Sequence, residues 1–164
     1  MRIIIICALA AILGVPAKAD ETLKWRQVQY VASVQRQEVG DVANHIQGFV
    51  RYAGLASFPD GSIARTAVFN LSDGIVVPDG KGAVNGYEHI TFNDGSELWL
   101  KYIGTFKIDS QGALSGGGTF TVTSGKRRYA GAMGDGTYEG VQTSAAVTGA
   151  EVLGALDIVL NIKK

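Results

Sequence analysis

Beyond the first nineteen residues, apolar and polar positions alternate with a period of two, and glycine-bearing turns punctuate the alternation. That period sends successive side chains to opposite faces of a strand. It predicts strands near 24–34, 45–58, 62–71, 83–92, 96–108, 114–123, 136–147 and 151–162. Helical periodicity is nearly absent, and no linker is rich enough in polar or breaker residues to split the chain. About eight antiparallel strands in one chain predict an all-β domain, either a closed barrel or a sandwich.

Two turns set the register. "FPDGS" (Phe58 to Ser62) and "FNDGS" (Phe92 to Ser96) share one form. Three-residue hairpin loops of this kind combine a type I turn with a left-handed residue, a position that Gly61 and Gly95 fill. The second turn then pairs Phe92 with Ser96, Ile90 with Leu98, Glu88 with Leu100 and Gly86 with Tyr102. One face of that hairpin carries Val84, Gly86, Glu88, Ile90 and Phe92 with Leu98, Leu100, Tyr102, Gly104 and Phe106. It is apolar except for Glu88. The other face carries Tyr87, His89, Trp99, Lys101 and Ile103 and reads as an outer surface. In the preceding hairpin, the face with Val50, Tyr52, Gly54, Ala56, Ala64, Thr66, Val68 and Asn70 is assigned to the interior. The opposite choice would bury Arg51 and Arg65 without partners.

The stretch "GGGTFTVTSGKRRYAGAMGDGTYEG" (Gly116 to Gly140) is the richest in glycine. It is not a phosphate loop. Gly125-Lys126 is followed by Arg127 rather than Ser or Thr, and Gly131, Gly134 and Gly136 lack the dinucleotide spacing. No helical pattern follows to complete either motif. "TFTVT" is a strong strand former, so the glycines read as bends and close approaches of a coiling sheet. The stretch resembles the signature of the allene oxide cyclase-like and dirigent-like barrels. Those run from a strand (Thr119 to Thr123) through Ser124-Gly125 and Tyr129-Ala130-Gly131 into a further glycine-bearing strand. The upstream "FNDGSELWLKYIGTF" looks like the strand pair that precedes it in bacterial members. The resemblance implies an eight-stranded, calycin-like antiparallel barrel with a hydrophobic lumen, assembled as a homodimer or homotrimer. In that group some members cyclise an unstable epoxide or steer radical coupling. The basic turn Lys126-Arg127-Arg128 departs from the small polar residues expected there.

Composition adds a compartment. Arg2, the apolar run "IIIICALAAILGV", Pro16 and the small-residue "AKA" predict a signal peptide over residues 1–19, cleaved before Asp20 and leaving a domain over 20–164. The expected location is the periplasm or the exterior, with no membrane attachment after cleavage. The only cysteine, Cys7, leaves with the signal. The remainder carries 13 Lys and Arg against 15 Asp and Glu, which argues against a nucleic-acid partner.

Glu88 is the sharpest candidate for chemistry. Its register aims it into an apolar lumen near Tyr102, where it serves either as a general base or as a structural carboxyl bonded to Tyr52, Tyr102 or Asn70. Glu88 and Tyr102 are therefore the catalytic candidates, and Tyr52, Asn70, Ile90, Leu98, Leu100 and Phe106 the ligand-contacting ones. His45 and His89 have no spacing that suggests a metal, and no metal or cofactor is expected. Ser124 and Ser144 lack a nucleophile-elbow context. Trp99 and Ile103 mark either an oligomer contact or scattered exposed side chains. The expectations are a binding protein for a small hydrophobic molecule, a cyclase or isomerase working largely by positioning, or an oligomerising module without ligand.

Overall fold

The computed structural model describes residues 20–144 and 153–163. The expected signal peptide, and the parts of the last two expected strands at 145–147 and 151–152, lie outside them. Eight strands follow in sequence: β1 (Glu21–Glu38), β2 (His45–Ser57), β3 (Ile63–Ile75), β4 (Lys81–Phe92), β5 (Glu97–Ile108), β6 (Leu114–Lys126), β7 (Met133–Gln142) and β8 (Leu153–Lys163). Each pairs antiparallel with its sequence neighbour, and β1 pairs with β8 to close the barrel. Closure gives every strand a hydrogen-bonded neighbour on both sides.

Both predicted turns have the expected form. Phe58 N–H donates to Ser62 O and Phe92 N–H to Ser96 O, at 3.0 and 2.9 Å, with Gly61 and Gly95 at φ +82° and +74°. Asp60 and Asp94 carboxylates accept from the backbone N–H groups of Ser62 and Ser96. A third turn of this form, Asp109 to Ala113, was not singled out in the sequence. The β4–β5 register places Glu88 beside Leu100 and Gly86 beside Tyr102, as the turn dictates.

The interior face of β2–β3 is the assigned one: Val50, Tyr52, Ala56, Ala64, Thr66, Val68 and Asn70 are buried. Arg51 and Arg65 stay exposed, and the Arg51 guanidinium lies 5.8 Å from the outer ring of Phe69.

Several strand boundaries differ from the pattern: β3 runs on to Ile75 and β6 to Lys126, and the differences in β1 and β7 have plain reasons. β1 continues to Glu38, well past Val34, because Gln35 to Glu38 pair with β2 although their side chains are polar and exposed. A bulge between Val31 and Ser33 shifts its register. β7 starts at Met133 rather than 136. Met133, Gly134 and Asp135 read as turn residues, yet they pair with Lys163, Ile162 and Asn161 of β8.

Candidate functional site

The barrel interior has two unlike halves. β4 runs inward-facing Val84, Gly86, Glu88, Ile90 and Phe92 from one end to the other, and Glu88 stands at the boundary. Below it the core is solid. The rings of Trp25, Phe58, Phe92 and Tyr129 form a chain with centroid separations of 5.8, 5.6 and 5.0 Å. Ile90, Leu98, Leu100, Ile158, Leu160 and Ile162 pack in the same core, each at most 1% exposed. The phenylalanines that begin the two predicted turns thus plug this end as well as setting register.

The basic turn seals the plug. Lys126 Nζ lies 2.9 Å from Glu97, and Arg127 donates to the Asp94 carbonyl at 2.6 Å. The Arg128 guanidinium sits 4.5 Å from the Phe92 ring centre and 4.8 Å from that of Tyr129, and 3.5 Å from Asp94. Lys126, Arg127 and Arg128 therefore clasp the β4–β5 turn.

Above Glu88 lies a cavity of about 140 Å³. Its walls include Tyr52, Asn70, Glu88, Tyr102, Phe120 and Tyr138, and it extends to Arg36, Ile46 and Val76 at the end that carries the β1–β2 and β3–β4 connections. Of the expected ligand-contacting residues, Tyr52, Asn70 and Phe106 line this space. Ile90, Leu98 and Leu100 do not. The aromatic plug fills the lumen up to their level, so they support the cavity floor instead of forming it.

Glu88 is 1% exposed. Removal from water penalises its charged form and pushes its pKa up to about 8, with a hydrogen bond from Gln27 on the far wall pulling the other way. The carboxyl is therefore mostly neutral at pH 7. Its Oε1 has no hydrogen-bond partner. None of the three anticipated partners occupies it. The Tyr102 hydroxyl donates to Asn70 Oδ1 at 2.6 Å, so these two satisfy each other. Tyr52, pushed up to about 12 by burial, has Gln142 as its hydrogen-bond partner.

Four residues of this site were missed in the sequence: Gln27, Gln29, Tyr138 and Gln142. Trp25 Nε1 donates to Gln27 Oε1 at 3.3 Å, and Gln27 Nε2 to Gln29 Oε1 at 3.2 Å, a short polar ladder up the inner face of β1. The signal was present. In "WRQVQY" the residues alternating with Trp25 are glutamines, while Val28 and Tyr30 point outward at 53% and 55% exposure. Inverted alternation of this kind marks a polar lumen wall. Tyr138 had a weaker signal: it alternates with Gly136 and Gly140, and only the polar Asp135, Thr137 and Glu139 on the opposite face mark its side as the inner one.

Two glycines make room for the tyrosines. A Cβ at Gly86 would stand 2.9 Å from the Tyr102 hydroxyl, and one at Gly104 would stand 2.2 Å from that of Tyr138. The rings of Tyr102, Phe120 and Tyr138 contact one another at 5.0–5.8 Å and form one wall of the cavity.

The histidines lie outside the lumen. His45 bridges Asp41 and Asp73 at 2.6 and 2.5 Å through opposite ring nitrogens, which ties the β1–β2 connection to β3. His89 stacks on Trp99 at 4.0 Å and contacts Glu97 at 3.1 Å. Among the described residues no group of three or more His, Cys, Asp or Glu is placed to hold a metal ion.

No protein-family model matches the sequence, and no curated protein matches it. Among solved structures, the chain is similar to a conserved protein of unknown function from Rhodopseudomonas palustris. The two share 13% identity over 87% of this chain and 99% of that one, with a TM-score of 0.45.

Proposed function

We propose that this barrel binds a small, mainly hydrophobic ligand in its lumen. The observation that carries the reading is the cavity above Glu88, apolar and aromatic over most of its wall, with a buried carboxyl oxygen left unpartnered at its floor. Pockets for small ligands combine such walls with a few placed polar groups. The volume sets the size: an apolar cavity of about 150 Å³ takes one benzene, so a ligand of similar bulk fits inside and a longer one extends toward Arg36. Titration with small apolar probes, followed by chemical shifts of lumen residues, tests this. Absence of shifts at Tyr138 and Phe120 with every probe would sink it.

A second reading, catalysis of the allene oxide cyclase-like kind, is favoured by one observation. A carboxyl with a pKa of about 8 is suited to donate a proton near neutral pH. Loss of turnover in Glu88→Gln on an identified substrate tests that role. Export is part of the proposal: β1 begins at Glu21 and pairs with β8 from Glu21↔Ile162, so cleavage before Asp20 spares the barrel. Self-association is supported by the exposed outer side chains Phe49, Leu71 and Ile103. Sedimentation of the purified protein reads it out.

A further inference from the structure

Among the described buried side-chain atoms, two that line the cavity lack any hydrogen-bond partner: Glu88 Oε1 and the Tyr138 hydroxyl. Thr66 Oγ1 shares that state, but Thr66 is not among the residues lining the cavity. Buried polar atoms without partners are costly and therefore rare. Two of them in the wall of one small cavity call for a ligand group that answers both.

We propose that the ligand presents a carbonyl oxygen (of a ketone, aldehyde or lactone) to the Glu88 carboxyl and the Tyr138 hydroxyl together. This inference rests on the lumen-binding reading above and names the chemical class. The donor count decides it. Tyr138 offers one O–H, and Glu88 offers another while it holds its proton. A carbonyl oxygen has two lone pairs and accepts both. A carboxylate ligand would bring a full charge into a site that already disfavours the charge of Glu88. The other tyrosines do not compete: Tyr102 donates to Asn70, and Tyr52 is engaged with Gln142. The close fit of the Tyr138 hydroxyl over Gly104, and the ring contacts to Tyr102 and Phe120, hold the donor in place.

The titratable and charged groups around Glu88 are few. Tyr52 on β2, Tyr102 on β5 and Tyr138 on β7 are all pushed above their ordinary range by burial, and Arg36 lies at the rim. As pH rises, Glu88 is therefore the lumen group that changes first, and it changes from donor to acceptor.

The test compares cyclohexanone with methylenecyclohexane, which differ by one oxygen replacing a CH₂ group. Affinities are measured by NMR titration at pH 6 and pH 9. The ketone is expected to bind about tenfold more tightly than the alkene at pH 6, the scale of one or two net hydrogen bonds. That preference should shrink at pH 9. Tyr138→Phe should weaken the ketone about threefold to fivefold and leave the alkene unchanged, which also shows that the variant is folded. Glu88→Gln should retain most of the preference, because the amide N–H still donates, and lose its pH dependence. If both probes bind within about twofold of each other at pH 6 in the wild-type protein, the carbonyl inference is overturned while lumen binding stands. If neither probe binds, the lumen reading falls, and the inference with it.

Discussion

Burying Glu88 has a thermodynamic signature that needs no ligand. In the folded barrel its pKa stands at about 8, against 4.5 when exposed. The group is fully buried, so solvent screening does not dilute the effect. A raised carboxyl pKa means the folded state binds the proton more tightly than the unfolded one. Its stabilising contribution is therefore complete below about pH 4.5 and lost as pH rises to about 8. At pH 7 the unfolded glutamate has ionised while the folded one keeps its proton, which costs about 3 kcal/mol at about 1.4 kcal/mol per pKa unit. Glu88→Gln preserves shape and removes the titration. Urea unfolding of both proteins from pH 4.5 to pH 8 should show the wild type losing about 3 kcal/mol relative to the variant by pH 7. Comparing the two cancels the surface carboxylates held low by their partners, such as Asp73 and Asp157, whose contributions fade at acid pH instead. A difference constant within about 0.5 kcal/mol across this range would refute the reasoning, because a buried Glu88 must titrate differently from an exposed one.

Other consequences can be measured separately. Gly104→Ala should destabilise the barrel by about 2 kcal/mol or more, since its Cβ would meet both the Tyr138 hydroxyl at 2.2 Å and the Gly117 carbonyl at 2.5 Å; chemical denaturation reads it. Arg128→Ala should cost about 1 kcal/mol through the lost contacts with Phe92 and Tyr129, and probe binding in the distant cavity should be unchanged by titration. His45, held between Asp41 and Asp73, has its pKa raised. Its link from the β1–β2 connection to β3 is fully present below its ordinary value and lost as pH rises through the higher folded one. NMR titration of His45 should show that elevation, and Asp73→Asn should reduce it.

Much of the barrel was legible because its rules are local. The Phe-x-x-Gly-Ser turns fix register, and a fixed register assigns every side chain of a two-strand unit to a face. Glu88 was found this way, as the single acid in an apolar row. What stayed illegible was everything set across the lumen. Which residues fill the plug and which line the space depends on ring sizes from Trp25, Phe58, Phe92 and Tyr129, at positions far apart in sequence. For that reason Ile90, Leu98 and Leu100 were expected at the cavity and lie beneath it. The partner of Glu88 comes from β1, across the barrel, where hairpin logic does not reach. The basic turn departs from the small polar residues expected there, and its role emerges only when β6 and the β4–β5 turn are brought together.

The aromatic plug also decides what kind of vessel this is. A barrel stoppered at one end by four rings in tilted contact and an arginine clasp is a cup rather than a conduit. For a ligand held as proposed above, the described residues leave the end near Arg36 as the way in and out. Residence inside then depends on how firmly the floor holds a guest and how readily the rim lets it leave. Substitutions at the rim should alter the two rates together, while substitutions at Glu88 or Tyr138 should act chiefly on departure.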